Sequence, residues 1–211
     1  MRILYLYYDI MNLYGESGNI RMIERMFREA GKDVSVEVKT VTDRKIDFLK
    51  YDFIYCGAGS ENSRDVVIRH LSFFKDSLKA AYEKGTVMLF TGNSYEMLGK
   101  EIAVGERKIE GIGLFDFTVK EQRVDRYSGD VTFRCNLFEG ELIGYINKCS
   151  EAEGVKNPLF EIEQVVGTVK TGSEGIHEKN FFGTQIIGPI LVKNPSFANY
   201  IVNLTLKTIE E

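Results

Sequence analysis

The chain is poor in the residues that most often carry chemistry or staple a fold. Its 211 residues include three cysteines, Cys56, Cys135 and Cys149, and two histidines, His70 and His177. An odd, scattered cysteine set with no C-x-x-C spacing supplies neither a disulfide framework nor a zinc site. Two histidines leave little with which to ligate a metal. No metal or cofactor is expected, and a reducing cytoplasm is the expected location. No run approaches the ~18 apolar residues of a membrane-spanning helix, so no span is expected. Met1-Arg2-Ile3-Leu4-Tyr5-Leu6 enters a strand pattern at once and lacks a small-residue cleavage site, which argues against a signal peptide. Basic excess is lacking too: a net charge of −4 does not suit a nucleic-acid binder. With no repeat, low-complexity tract or linker, residues 1–211 read as a single domain.

What is present is an alternation of strands and helices. Ile3 to Tyr7 is apolar throughout, as a strand buried on both faces would be. Ile20, Ile23, Met26 and Phe27 recur at helical spacing, and Gly31 closes that helix. Val34 to Val41 alternates like a strand, and Phe53-Ile54-Tyr55-Cys56 is a second buried run. Asn62 or Ser63 is a candidate cap for a long helix with Val66, Val67, Leu71, Phe74, Leu78 and Ala81 on one side, ended by Gly85. Thr86 to Thr91 is the next strand. This order predicts an α/β fold with a mostly parallel sheet between helices. The second half reads as short strands, Phe115 to Arg123, Val131 to Asn136, Leu142 to Asn147, Gln164 to Val169 and Asn180 to Ile187. Their glycine and charged turns suggest antiparallel additions. Pro195 opens a closing helix.

Ligands of parallel sheets bind beyond the strands' carboxyl ends. Two glycine turns fall there, Gly57-Ala58-Gly59-Ser60 and Gly92-Asn93-Ser94. The second follows an apolar strand and precedes a short helix, Tyr95-Glu96-Met97-Leu98, which is the layout of a nucleophile elbow. Gly92 stands at its tip and has no side chain to present. A turn glycine would suit the same backbone, because glycine adopts positive φ without steric cost.

Five segments in order resemble the cobyric-acid-synthase-like class I glutamine amidotransferases, in particular the glutaminase subunit of lipid II isoglutaminyl synthase. They are Tyr8-Asp9-Ile10-Met11-Asn12-Leu13-Tyr14-Gly15 with Gly18-Asn19, then Gly57-Ala58-Gly59-Ser60-Glu61, where the family has Gly-Gly-Gly-Gln-Asp, then Tyr95-Glu96-Met97-Leu98-Gly99. Arg126-Tyr127-Ser128-Gly129-Asp130 follows, and Gly183-Thr184-Gln185-Ile186-Ile187-Gly188-Pro189 with Lys193-Asn194-Pro195 completes the set. The resemblance implies a three-layer, flavodoxin-like domain that hydrolyses glutamine and passes ammonia to a Mur-ligase-like synthetase, in peptidoglycan or cobyrinate-type amidation. It also places the family's attacking cysteine at Gly92 and its histidine at Ile187. Removing a nucleophile or its base costs about 2 × 10⁶ in turnover in a protease triad, on the order of 8–9 kcal/mol of barrier. A degenerate subunit that binds a partner is therefore expected, with an altered-nucleophile enzyme and a small-carboxylate or amino-acid binding module as rivals.

The substitute nucleophiles are Ser94 and Cys56, the latter with a Cys56–His177 pair as its most favourable form. Serine at a helix start more often caps, and free cysteine more often packs in a core. Gly57, Gly59, Asn93 and Ser94 are candidates to bind a glutamine or other small amide or carboxylate, through backbone N–H groups at the turns. Arg126 is the candidate carboxylate clamp. Glu96 replaces a family glutamine; read plainly, it pairs with solvent or Lys100.

Overall fold

The computed structural model describes residues 1–210. In chain order the strands are β1 (Arg2–Leu6), β2 (Ser35–Lys39), β3 (Phe53–Cys56), β4 (Val87–Thr91), β5 (Glu101–Val104), β6 (Arg107–Glu110), β7 (Thr118–Glu121), β8 (Tyr127–Arg134), β9 (Leu142–Lys148), β10 (Ser150–Glu153), β11 (Phe160–Gly167), β12 (Gly172–Glu174), β13 (Ile176–Glu178), β14 (Phe181–Thr184) and β15 (Ile186–Ile187). The helices are α1 (Ser17–Glu29), α2 (Glu61–Leu71), α3 (Lys75–Lys84), α4 (Ile190–Lys193) and α5 (Pro195–Glu210).

Six strands form the central sheet in the order β13-β14-β4-β3-β1-β2. All neighbours are parallel except β13 and β14. The parallel part has the flavodoxin-like order, whose reversal between β1 and β3 opens a crevice at the strands' carboxyl ends. Side chains alternate across the sheet with period two. Leu4, Leu6, Ile54, Cys56, Met88 and Phe90 pack on one face with Val67, Leu71, Leu78 and Ala81 of α2 and α3. Ile3, Tyr5, Phe53, Tyr55, Val87 and Leu89 pack on the other with Ile20, Ile23 and Phe27 of α1 and with Phe197 and Ile201 of α5. Continuous apolar runs in β1, β3 and β4 are thus explained by burial on both faces.

The second half does add antiparallel strands, but only β13 joins the central sheet in that sense, and β14 enters it parallel. The rest form two small sheets, β10-β7-β5-β6 and β12-β11-β8-β9-β15. Val119 and Ile102 of the first pack on the α2–α3 side, and Val131, Phe133 and Ile146 of the second on the α1–α5 side. The charged hairpin β5–β6 was not foreseen.

The helix expected after residue 60 also differs. Its cap is Ser60, extended at φ −66° and ψ 159°, whose hydroxyl accepts the Ser63 N–H. A 3₁₀ turn at Ser72–Phe74 splits it into α2 and α3, and Val66 faces solvent. Gly85, left-handed at φ +91°, ends α3 as expected.

Candidate functional site

The crevice at the carboxyl ends of β3, β4 and β14 is lined by Ala58 and Gly59, Gly92 and Asn93, and Gln185 and Ile187. The turn after β4 has the left-handed backbone of an elbow tip: Gly92 sits at φ +59°, which glycine adopts without strain. A Cβ built on Gly92 would overlap the Ala58 methyl and lie 3.0 Å from Cγ2 of Ile187. Residues 92 and 187 therefore meet in one cleft, and Ala58 fills the space that a side chain at 92 would need. The free volume there is about 10 Å³, close to what one water requires.

The rest of the cleft wall is an ionic network that composition did not reveal. Arg64 is fully buried on α2. Its Nη1 donates to Glu96 at 2.6 Å and to Glu121, and its Nη2 donates to Asp65 at 2.8 Å. Arg123 also donates to Glu121 and, at 3.1 Å, to Asp65. Glu96 accepts from the Ser150 hydroxyl and the Gln185 amide. Burial raises the Glu96 carboxyl above its ordinary value, although Arg64 and these two donors oppose the shift. Arg64 holds its proton more tightly than usual, because Glu96 and Glu121 outweigh the effect of burial. Glu96 thus pairs with a buried arginine, not with solvent; Lys100 pairs with Asp116 instead. A sequence signal for Arg64 exists: it shares the apolar stripe of Val67, Ile68 and Leu71 at i, i+3, i+4 and i+7.

A second buried carboxylate braces the elbow from below. Glu16 accepts from the hydroxyls of Tyr55 and Thr91 and, at 3.3 Å, from the Gly188 N–H. Burial raises its carboxyl. It thereby ties the turn after β15, and so Ile187, to β3 and β4.

The residues singled out from sequence fare unequally. Ser94 is fully buried, and its hydroxyl donates to the carbonyls of Cys56 (3.0 Å) and Thr91 (2.8 Å), so it stitches β3 to β4 and does not face the cleft. Cys56 is fully buried too, and burial pushes its thiol well above the ordinary range. Cys56, Phe90, Gly183 and Ile176 stand in register on four adjacent strands. Three strand spacings, about 14 Å, separate Cys56 from the strand of His177, which rules out a direct pair. His177 stacks on Phe182, and His70 bonds the Tyr7 hydroxyl and the Asp43 carbonyl. Gly57 packs against the Met11 carbonyl and Glu16, away from the cleft. Gly59 lines it, but its N–H is taken by Oδ1 of Asn93 at 3.1 Å, while Nδ2 of Asn93 donates to the Gly59 carbonyl at 2.8 Å.

Arg126 stands on the rim. Its guanidinium donates to Glu61 at 2.7 Å and twice to Asn147, at 2.6 and 2.9 Å. Beside it the sequence reading overlooked Cys149, whose thiol lines the cleft and donates to Glu61 at 3.3 Å. Burial, then the Glu61 carboxylate, push this thiol up to about 12. Neither histidine lines the cleft. The cleft holds a thiol bonded to a carboxylate and no imidazole.

Comparison with known proteins agrees with this architecture. A CobB/CobQ-like glutamine amidotransferase domain matches residues 2–195. The chain is 28% identical over 212 residues to the lipid II isoglutaminyl synthase (glutamine-hydrolyzing) subunit GatD of Streptococcus pneumoniae, covering 98% of this chain and 81% of that one. It is 30% identical over 197 residues to the subunit of the same name from Staphylococcus aureus, covering 92% and 79%. Among solved structures, a chain of PurLQS from Thermotoga maritima superposes with a TM-score of 0.67 at 14% identity, covering 99% and 98%. A glutamine amidotransferase from the same organism gives 0.59 at 12% identity, covering 98% and 90%. At those identities the likeness extends to the fold alone. No helix among the described residues is long and apolar enough to cross a membrane. The sequence match, the flavodoxin-like sheet and the elbow at its carboxyl edge lead to one assignment: the chain belongs to the CobB/CobQ-like glutamine amidotransferase family.

Proposed function

We propose that this chain is the amidotransferase-type subunit of an amidating complex and has lost glutamine hydrolysis. Its role is to bind a Mur-ligase-like synthetase in peptidoglycan or cobyrinate-type amidation. The observation that carries the reading is the packing over the elbow. Gly92 keeps a left-handed backbone, yet the Ala58 methyl and Ile187 occupy the space where a nucleophile and its base would work. Amide hydrolysis through an acyl-enzyme needs a nucleophile activated by a neighbouring base; the Cys149 thiol is pushed up to about 12 by burial and the Glu61 carboxylate, and no histidine lines the cleft. The resemblance to GatD, named as a subunit of a glutamine-hydrolyzing synthase, supports the partner.

The test has two parts. Glutamate release from glutamine is measured with the purified chain, alone and with a co-expressed Mur-ligase-like protein, and the two proteins are tested for co-purification. A stable complex without glutamate release is expected. Release abolished by Cys149→Ala would replace this reading with an altered-nucleophile enzyme. Failure to co-purify with any such synthetase would remove the partner role.

A further inference from the structure

Lys148 and Gln185, which line the cleft, also border a second and much larger cavity, of about 350 Å³, formed with β10, the 154–158 loop and β12. We propose that it binds a small zwitterion of the α-amino-acid type, the ligand ammonium held by Glu174 and the ligand carboxylate by Lys148. This goes beyond the role assigned to the cleft and does not depend on it.

Glu174 is 6% exposed. One of its oxygens accepts the Thr184 hydroxyl and the other the Gln185 N–H, each at 2.6 Å. Each oxygen keeps a free lone pair, and among the described residues Glu174 forms no ion pair. A buried carboxyl group without a cation is costly unless something pairs with it. Lys148, at 13% side-chain exposure, lies on the same cavity and acts on the charge of Glu174 from there. Its one ionic partner is Glu151 at 2.7 Å, whose side chain is 55% exposed and free to swing into solvent. The lysine therefore has N–H donors to offer. The cavity thus offers a buried acid, Glu174, and a half-buried base, Lys148, with Glu151 at its exposed edge; Glu174 and the remaining N–H donors of the lysine fit a ligand carrying both an ammonium and a carboxylate. A diamine would leave Lys148 facing a like charge, and a dicarboxylate would do the same to Glu174.

Size supports a ligand over a structural water. Liquid water occupies about 30 Å³ per molecule, so the cavity exceeds ten waters and falls in the ~300–1,000 Å³ range of small-molecule sites. The floor supplies further polar and apolar surface through Tyr95 and Val155. Gln185 forms the wall between the two spaces: its side-chain amide donates to Glu96 in the cleft, and its backbone N–H donates to Glu174 in the cavity.

The test is calorimetric titration and thermal shift of the full chain with glycine, L-alanine, L-glutamate and L-glutamine, against putrescine and succinate as controls, each at up to about 10 mM. At least one amino acid is expected to bind, and neither control. Glu174→Gln, which keeps the shape of the side chain, should weaken binding at least about tenfold. Lys148→Met, which keeps the apolar stem, should do the same by removing the carboxylate partner; because Lys148 also borders the cleft, it serves in place of the Glu174 variant only together with Arg126→Ala, which should leave binding intact. Absence of binding by all four amino acids would overturn the proposal. So would binding that survives both variants yet disappears in Arg126→Ala, since that would put the ligand in the cleft. Glutamate release and co-purification report on the cleft reading, so either inference can fail without the other.

Discussion

Placing a thiol at residue 92 should damage the fold before it does anything for chemistry. Two separate costs apply. A residue with a Cβ in the left-handed region is disfavoured by roughly 1–2 kcal/mol, and Gly92 lies there at φ +59°. The new Cβ also overlaps the methyl of Ala58, a residue only 2% exposed, with Cγ2 of Ile187 at 3.0 Å on another side. Overpacking of a close-packed interior costs about 1–3 kcal/mol. Gly92→Cys should therefore lose about 2–5 kcal/mol, and Gly92→Ala a similar amount, because the offending atom is the Cβ. At this chain length each kcal/mol corresponds to about 2–4 °C in Tm.

The two costs can be told apart. Ala58→Gly alone removes a buried methyl, a loss of about 1 kcal/mol, and leaves glycine, which bears no strain there, at 92. Combined with Gly92→Cys it abolishes the overlap but not the backbone strain. The double variant should therefore be about 1–3 kcal/mol more stable than the sum of the single effects implies. Urea unfolding of the four proteins closes the cycle. Independent sites add to within about 0.5 kcal/mol, so additivity at that level would refute the placement of Ala58 over residue 92.

Three further outcomes follow from the buried charges. Burial raises the Glu174 carboxyl from its ordinary value of 4.5. A raised carboxyl favours folding below the unfolded value and loses that contribution as pH rises through the folded one, so Glu174→Gln should gain stability relative to wild type on going from pH 5 towards neutrality; a gap independent of pH in urea unfolding would refute this. Cys149, with its thiol pushed up to about 12, should react with iodoacetamide about 10³-fold more slowly at mildly alkaline pH than a free cysteine, because only the thiolate attacks. Glu61→Gln should speed that labelling, and mass spectrometry of the modified peptide reads both. Arg64→Met should cost about 3–5 kcal/mol, the usual loss when one partner of a buried ionic network is removed; a change in urea midpoint worth less than about 1 kcal/mol would mean that the network carries little.

How far the sequence disclosed this depends on which force each element obeys. Strands β1, β3 and β4 were legible because burial on both faces leaves an unbroken apolar run, and α5 because Pro195 opens it. The sheet membership of the later strands was not, since alternation records that one face is buried and says nothing about the partner strand. Hairpin β5–β6 buries little beyond Ile102, so its pattern reads as charged loop. The meeting of Gly92 with Ile187 came from family resemblance, because no periodicity links residues so far apart in the chain. Arg64 carries a charge and so does not stand out as core, although its place on the apolar stripe of α2 marks it as buried. Cys149 sits at the bend between β9 and β10, and only the fold brings it beside Glu61.

Even a chain with Gly92→Cys, Ala58→Gly and Ile187→His together should release no glutamate above background. Nucleophile and base would be restored, but attack on an amide requires the substrate carbonyl about 3–3.5 Å from the sulfur, and the cleft has a free volume of about 10 Å³. Glutamine has ten heavy atoms. To enter, it would have to displace the Gln185 amide or part Glu96 from Arg64, and breaking a buried ion pair costs about 3–5 kcal/mol. At about 1.4 kcal/mol per factor of ten, that penalty lowers affinity by roughly 10²–10⁴. On the proposed reading, inactivity has two layers, the absence of a Cys–His pair at 92 and 187 and the network of Glu96, Arg64 and Gln185 that closes the space before them. Single-turnover assays on the triple variant at high glutamine distinguish the layers. Glutamate formation with an ordinary Km would show that the network yields without cost and that only the missing pair had silenced the cleft.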